Sequence, residues 1–337
     1  RHSAHEPQAK HWLTLTAVGT AIVSLVAVSA AGQTPPAAVK TAAAAKPAPA
    51  KRWTPPRTAW GDPDLQGTWP GTPMMGVPLQ RPAELAERRV LTDAEFAARE
   101  EQARRQAQAD SEVFAALRAP GGVAGNTGGP GHWGERGQPQ RQTSLIVDPP
   151  DGRMPLMTPE GQKRTAAIPA TLYYDNNGGG PFNGPEDLSV YDRCITRGVI
   201  GSTLPVGYNA GNQIVQGPGY VAIRYEMIHE ARLIPLDGRP HGSPNIRTYM
   251  GDPRGHWEGD TLVVETTNFN GKTGVTGNGR ATYTSDAIRL LERFTRVDAD
   301  TIQYEATIDD PKMWTRPWTV AFPLKRRFIN DDQLPFP

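Results

Sequence analysis

The stretch of sequence from Asn212 to Phe328 decides the fold. It contains GYVAIRYEMIHEARLIPL (219–236), TLVVETTNF (261–269) and IRLLERFTRVDADTIQYEATI (288–308). Apolar and polar residues alternate along these runs, which is the period of a strand with one buried face. Short polar turns, such as the one at 298–300, separate the runs. The pattern therefore predicts an antiparallel meander of β-strands.

We predict a mainly β fold from Ser144 to the C-terminus, with the meander forming a lipocalin-like barrel or sandwich. Six to eight strands of this length are typical of a barrel whose interior holds one small ligand. A Gly-x-Trp sequence at the first strand belongs to the lipocalin pattern, and Gly67-Thr68-Trp69 matches it. The architecture thus resembles the lipocalins, and Arg326 or Arg327 is predicted to pack on Trp69.

Composition places the chain among soluble globular proteins rich in loops and strands. It has 35 Gly, 33 Pro and a formal net charge of +1. This charge, together with the lack of a basic cluster interleaved with aromatic residues, argues against nucleic acid as a partner. Cys194 is the only cysteine, so an internal disulfide is excluded and we interpret Cys194 as a buried or structural residue.

The N-terminal region resembles a secretory signal. An apolar run at Trp12–Val28 ends in the small residues 29–31. We predict a signal peptide over 1–31 and a periplasmic or extracellular protein that contacts the membrane only through this peptide. A retained membrane anchor is the alternative. The following Ala- and Pro-rich residues 32–57 are typical of an extended spacer.

Residues 58–143 are predicted to form a strap, a charged helix and a Gly-rich loop. The strap is Trp60–Pro73, and the helix is Leu91–Ala119, a solvated arm whose start carries a Thr92/Glu95 capping box. The Gly-rich loop is Gly121–Gln140. Two further local patterns follow: a hairpin over Ser144–Met157, and a short helix with Thr158 as its N-cap and proline at its first position.

The strings YDRCITRG (191–198), GDPRGHWEGDTLVVETTNF (251–269) and LLERFTRVDADTIQYEATIDDP (290–311) resemble a family of secreted bacterial proteins without an assigned activity. The resemblance covers Tyr191 to Lys325 and implies an envelope location, with no particular chemistry. It also implies a longer C-terminal tail that contains a cysteine, a possible partner for Cys194.

Three histidines lie close in sequence to several carboxylates. His229, His241 and His256 could bind a divalent metal together with a carboxylate, although their spacing matches no known ligand motif. Without a metal, His229 could act as an acid or base that Glu265 orients. Hydrogen-bonded structural histidines are the alternative in both cases.

Four residues are candidates for binding a small amphipathic ligand: Tyr225, Arg232, Asn268 and Arg293. An arginine can clamp a carboxylate or phosphate through paired hydrogen bonds, or it can form a surface ion pair instead. The leading hypothesis is ligand binding in a polar-lined cavity of the cell envelope. The alternatives are a lyase, isomerase or hydrolase that uses the same cavity, and a structural or adhesion module.

Overall fold

The computed structural model describes residues 53–118, 137–169, 181–206, 210–276, 279 and 281–326, and for 110–118 only the backbone. These residues all fall within one unit, Arg52–Pro337. The predicted signal peptide, most of the spacer, the last residue of the predicted helix (Ala119), residues 121–136 of the Gly-rich loop and Arg327 lie outside the described residues.

Besides short 3-10 helices at Thr72–Met74, Ala83–Leu85 and Pro185–Asp187, the described part of the chain contains twelve strands and three α-helices. They are β1 (Gly67–Thr68), α1 (Asp93–Arg118), β2 (Ile146–Asp148), α2 (Pro159–Ala166), α3 (Val199–Thr203), β3 (Asn212–Gly217), β4 (Tyr220–Tyr225), β5 (Ala231–Pro235), β6 (Asp252–Glu258), β7 (Thr261–Thr267), β8 (Gly274–Thr276), β9 (Ala281–Tyr283), β10 (Arg289–Asp298), β11 (Thr301–Asp309) and β12 (Trp318–Lys325). The fold is mainly β, as predicted. No described helix is long and apolar enough to cross a membrane.

The strands form three antiparallel sheets. One has six strands in the order β2-β12-β11-β10-β7-β6, one has four in the order β1-β3-β4-β5, and β8 pairs with β9. Both large sheets are open, because hydrogen bonding among the described strands does not join the edges into a closed barrel. Their inner faces share one hydrophobic core, which includes Ile223 and Ile234 from the smaller sheet and Leu290 and Phe294 from the larger.

The predicted contact between Trp69 and a late arginine is confirmed. The Arg326 guanidinium carbon lies 5.7 Å from the centroid of the Trp69 ring, and that of Arg296 lies 5.3 Å from it. Trp69 is fully buried, and its indole N–H donates to the Leu65 carbonyl at 2.8 Å. The strap that carries Leu65 and Trp69 is therefore part of the core.

Two local predictions are also confirmed. Thr92 and Glu95 form the capping box, since the Thr92 N–H donates to the Glu95 carboxylate at 2.8 Å and the Glu95 N–H donates to Thr92 Oγ1 at 3.3 Å. Thr158 caps α2 by accepting from the Gly161 N–H at 2.9 Å. Both motifs satisfy helix N–H groups that have no partner within the helix.

The hairpin predicted over Ser144–Met157 is wrong. Only Ile146–Asp148 is a strand there, and it pairs with β12. The strand β6 was missed because its sequence, DPRGHWE, contains proline and glycine. Pro253 is tolerated because β6 is the edge strand of its sheet, where a missing N–H costs little.

Candidate functional site

Two of the predicted ligand-binding residues belong to a buried polar cluster between the sheets, formed by Tyr225, Arg232, Glu292 and Tyr304. Arg232 donates to both Glu292 oxygens, at 2.6 and 2.8 Å, and the Tyr304 hydroxyl donates to Glu292 at 2.9 Å. All four side chains are at most 3% exposed. The cluster lies among core residues, and the terminal nitrogens of Arg232 are committed to Glu292.

Burial and charge act in opposite directions within this cluster. Burial alone would lower the pKa of Arg232, but the adjacent Glu292 carboxylate raises it above its usual value. Burial raises the pKa of Tyr225 to about 12. Arg232 is therefore a permanent buried cation that depends on Glu292, and the sequence alone did not identify this partner.

Arg232 is buried on the inner face together with Tyr225, whereas strict alternation along one uninterrupted strand would put these two residues on opposite faces. β4 ends at Tyr225, and residues 226–230 form a turn in which Ile228 and His229 have φ of 67° and 59°. Such angles are uncommon for residues with a side chain. The turn brings Arg232 back to the inner face, and it leaves His229 exposed at the end of the smaller sheet.

A second group of predicted residues meets on the outer face of the six-stranded sheet, near its β6 edge. His241 Nδ1 lies 3.5 Å from Asp252 Oδ2, and its Nε2 lies 4.0 Å from Glu265 Oε1. The Asn268 amide donates to the carbonyls of Gly242 and Ser243 at 3.3 and 3.2 Å. Asn268 thus holds the loop that carries His241.

The carboxylates of this group are paired with arginines. Arg289 donates to Glu265 at 2.6 Å and holds the pKa of that carboxyl below its usual value. Burial raises the pKa of Asp252, but hydrogen bonds from the Gly242 N–H and Arg254 outweigh this effect and lower it. Both carboxylates therefore remain ionised beside His241 at neutral pH.

The remaining predicted residues lie in surface pairs or apart. Arg293 donates to Glu258 at 2.8 Å, and His256 Nε2 lies 3.3 Å from the same carboxylate. In the predicted catalytic pair, His229 lies in the turn between β4 and β5, and Glu265 lies on β7 of the other large sheet with Arg289 and His241 as its partners. Across the described residues, no group of three or more His, Cys, Asp and Glu side chains could hold a metal ion. The structure does not assemble the three histidines into one ligand set, and a bound divalent metal stays a prediction.

The loop at 194–196 contacts the turn that carries His229. The Thr196 hydroxyl, which is fully buried, donates to the Glu230 carboxylate. Cys194 is exposed, with φ of 55°, so the expectation of a buried cysteine is wrong. Burial raises the pKa of Glu230, and the hydrogen bond from Thr196 opposes this effect.

Because the pKa of Glu230 is raised, we predict that its contribution to the stability of the folded protein falls as pH rises. A carboxyl whose folded-state pKa exceeds its unfolded value binds its proton more tightly in the folded protein, so its contribution is full below about pH 4 and is lost as pH rises through the folded pKa. Glu230→Gln, which cannot ionise but still accepts from Thr196, is expected to raise the melting temperature at pH 7. Thermal unfolding measured at a series of pH values should show this gain in melting temperature shrinking towards pH 4.

Glu258→Gln is a control of opposite sign. Hydrogen bonds from Arg293 and His256 lower the pKa of Glu258, so its contribution is present at neutral pH and is lost as pH falls. This variant should melt earlier than the wild type at pH 7, and the difference should close in acid. A Glu230→Gln protein that is less stable than the wild type at pH 7 would contradict the assignment.

A cavity of about 290 Å³, which we call the Arg164 cavity, lies between α2, β9 and the β11–β12 connection. Its lining residues are Arg164, Ala167, Ile168, Pro169, Gly271, Tyr283, Thr284 and Met313. In the described part of the chain, no hydrogen bond or ion pair occupies the half-buried Arg164 guanidinium. The cavity thus offers one available cation beside an apolar wall.

Hydrogen bonds across the fold hold the walls of the Arg164 cavity. The Thr158 N–H donates to the Met313 carbonyl at 3.0 Å. Asp310, a buried residue at the start of the connection that carries Met313, accepts from the Ser285 N–H and hydroxyl, both at 2.6 Å. The two sides of the cavity are therefore fixed before any ligand arrives. No sequence motif marked Arg164 or Met313, since their proximity depends on long-range packing.

A second cavity, of about 350 Å³, lies between α1 and the segments 75–77 and 137–140. Its cation, Arg99, donates to the carbonyls of Gln140 and Gln142 at 2.7 and 3.1 Å. These bonds fasten α1 to the rest of the fold. Because its guanidinium is engaged in this way, the second cavity is a weaker candidate for an anion than the Arg164 cavity.

In comparisons with known proteins, no family model, no curated protein and no solved structure matches this chain. The family resemblance suggested by the strings within 191–311 therefore stays a prediction. The class of the protein is defined by its own geometry: a mainly β protein with two open antiparallel sheets, a packed polar cluster between them and a small cavity at the end of α2.

Proposed function

We propose that this protein binds a small amphipathic anion in the Arg164 cavity. The observation that carries the proposal is an arginine without a partner among the described residues, facing an apolar wall of Ile168, Tyr283 and Met313. Ligand sites are typically concave, largely apolar and preformed, with a few polar groups that orient the ligand. A carboxylate can accept two parallel hydrogen bonds from one guanidinium.

The described strands form two large open sheets and no closed barrel, so the lipocalin-like container predicted from the sequence does not supply the ligand site. Within the core, Arg326 and Arg296 pack on the ring of Trp69. We place the ligand outside the space between the sheets, because Arg232, Glu292 and the aromatic side chains of the core occupy that space. Ligand binding thus depends on the periphery of the fold.

Replacing Arg164 by glutamine is expected to weaken the binding of phenylacetate and hexanoate by about 10- to 100-fold, since a hydrogen bond to a charged group contributes roughly 1.5–3 kcal/mol. The measurement is isothermal titration calorimetry on the full chain. Lys163→Gln is the matched control, because it removes a positive charge from the exposed neighbouring position of α2. Equal loss in both variants, or none in Arg164→Gln, would refute the proposal.

A proton-transfer enzyme is the second candidate function, and the contact of His241 with Asp252 favours it. A carboxylate that faces one imidazole nitrogen orients the ring for acid–base chemistry at the other. Glu265 faces that second nitrogen, however, and His241 lines neither of the two cavities described above. Hydrolysis of a small ester that is lost in His241→Gln, with Arg164→Gln unaffected, would favour the enzyme.

We also propose that the protein is exported, with cleavage after the apolar run at Trp12–Val28. The support is the sequence pattern of a signal peptide. The mature protein is expected in the periplasm or medium with an N-terminus near residue 32. N-terminal sequencing of the native protein checks this, and recovery of an intact Trp12–Val28 from the membrane fraction would contradict it.

A further inference from the structure

We infer that the Arg164 cavity selects an aromatic monocarboxylate, an inference that rests on the binding function proposed above. Three features of the cavity support this ligand class: the amount of positive charge, the chemistry of the apolar wall and the size of the space.

The positive charge suits one negative charge on the ligand. Among the described lining residues, Arg164 alone carries a formal charge. Lys312, the neighbour of Met313, directs its ammonium to Asp286 at 2.8 Å and is thereby neutralised. Arg164 also lies in the last turn of α2, where the partial negative charge of a helix C-terminus disfavours additional anionic charge. A carboxylate fits these conditions better than a phosphate dianion.

The apolar wall suits an aromatic ring. Tyr283 can stack on or lie edge-on to a ring, and the Met313 sulfur makes favourable contacts with ring edges. The residue before Tyr283 is strained: Thr282 is β-branched and has φ of 53°. Its hydroxyl lies 2.9 Å from that of Thr276 on the paired strand, which helps to hold this conformation. Strained residues of this kind concentrate at ligand sites.

The size and rigidity of the cavity limit the ligand to one ring. Its volume of about 290 Å³ is just below the range of roughly 300–1,000 Å³ for ligand pockets. The helix cannot move closer to Met313, because Gly161 already packs so tightly that a Cβ atom there would lie 2.4 Å from the Met313 carbonyl oxygen. The cavity therefore cannot shrink around a thinner ligand without breaking these contacts.

The test compares phenylacetate with cyclohexylacetate, which has a similar size and charge but no aromatic ring, and with phenyl phosphate, which has the ring and a second negative charge. Calorimetry on the full chain is expected to show phenylacetate binding roughly three- to tenfold more tightly than cyclohexylacetate, the range of an aromatic contact. Phenyl phosphate should bind more weakly than phenylacetate.

NMR spectroscopy tests the contact with the ring. Phenylacetate should shift the Met313 methyl resonance upfield, and cyclohexylacetate should not.

Two variants at Tyr283 sharpen the result. Tyr283→Leu should abolish the preference for phenylacetate over cyclohexylacetate, and Tyr283→Phe, which keeps the ring, should restore it. Equal affinity for the two carboxylates in the wild type, or tighter binding of phenyl phosphate, would overturn the inference and leave the proposed function standing. If none of the three probes binds, or if Arg164→Gln binds them as the wild type does, both the inference and the proposed function fail.

Discussion

Glu292→Ala is expected to destabilise the fold by about 3–5 kcal/mol, the cost of leaving a buried charge without its partner. Among the described residues, Glu292 provides the only carboxylate bonded to Arg232, and Arg232 is 3% exposed. The same carboxylate accepts the hydrogen bond of the Tyr304 hydroxyl, so the substitution removes both interactions. Arg232 cannot reduce this cost by losing its proton, since arginine remains charged in proteins. Equilibrium unfolding in urea measures the loss.

Arg293→Ala is the matched control on the next residue of β10. Arg293 is on the opposite face of the sheet, where it pairs with Glu258 and both side chains are well exposed. Its loss should cost no more than about 1 kcal/mol, as is usual for surface ion pairs. The double variant Arg232→Met/Glu292→Leu should recover most of the stability, because it removes both charges together. A Glu292→Ala protein as stable as Arg293→Ala would show that the cluster is not buried as described.

The second large effect is expected for Trp69→Ala, at about 3–5 kcal/mol, the range for truncating a buried large aromatic side chain. Trp69 is fully buried, lies within 6 Å of two guanidinium groups and donates to the Leu65 carbonyl. Its removal leaves a large cavity and deprives Arg296 and Arg326 of the ring on which they pack. Urea unfolding followed by circular dichroism measures the change.

Trp60→Ala is the control within the same strap. Trp60 is 38% exposed and bonds only to Asp62 among the described residues, so its replacement should change stability by no more than about 0.5 kcal/mol, as at most surface sites. If both tryptophan variants lose equal stability, the strap is held by contacts other than the burial of Trp69.

Much of the secondary structure could be predicted because its signals are local. Period-two alternation marks β4, β7, β10, β11 and β12, and the runs 220–225 and 289–298 match strands of the structure. Capping depends on residues three positions apart, so Thr92 with Glu95 and Thr158 with Gly161 were accessible from the sequence. β6 was not, because its Pro253 and Gly255 are tolerated only through its place at the edge of a sheet.

The candidate site was less predictable, because the side chains that matter come from distant parts of the chain. Tyr225 and Arg232 were singled out as ligand-binding residues, and the structure places both in a closed core cluster with Glu292 and Tyr304. His241 and Glu265 do meet, but on an outer sheet surface. Arg164 drew no attention in the sequence because nothing near it distinguishes one arginine of a short helix from another.

The sequence by itself determined the β class of this protein, its helical arm and its helix caps, since alternation and capping need only neighbours within a few residues. The tertiary structure alone decided that Arg232 is buried, that Glu292 neutralises it and that Arg164 remains available in a cavity. The physical reason is that burial and pairing depend on which distant segments meet. Arg232 and Glu292 are 60 residues apart in the chain, and only the packing of one sheet on the other removes both from water and makes each depend on the other.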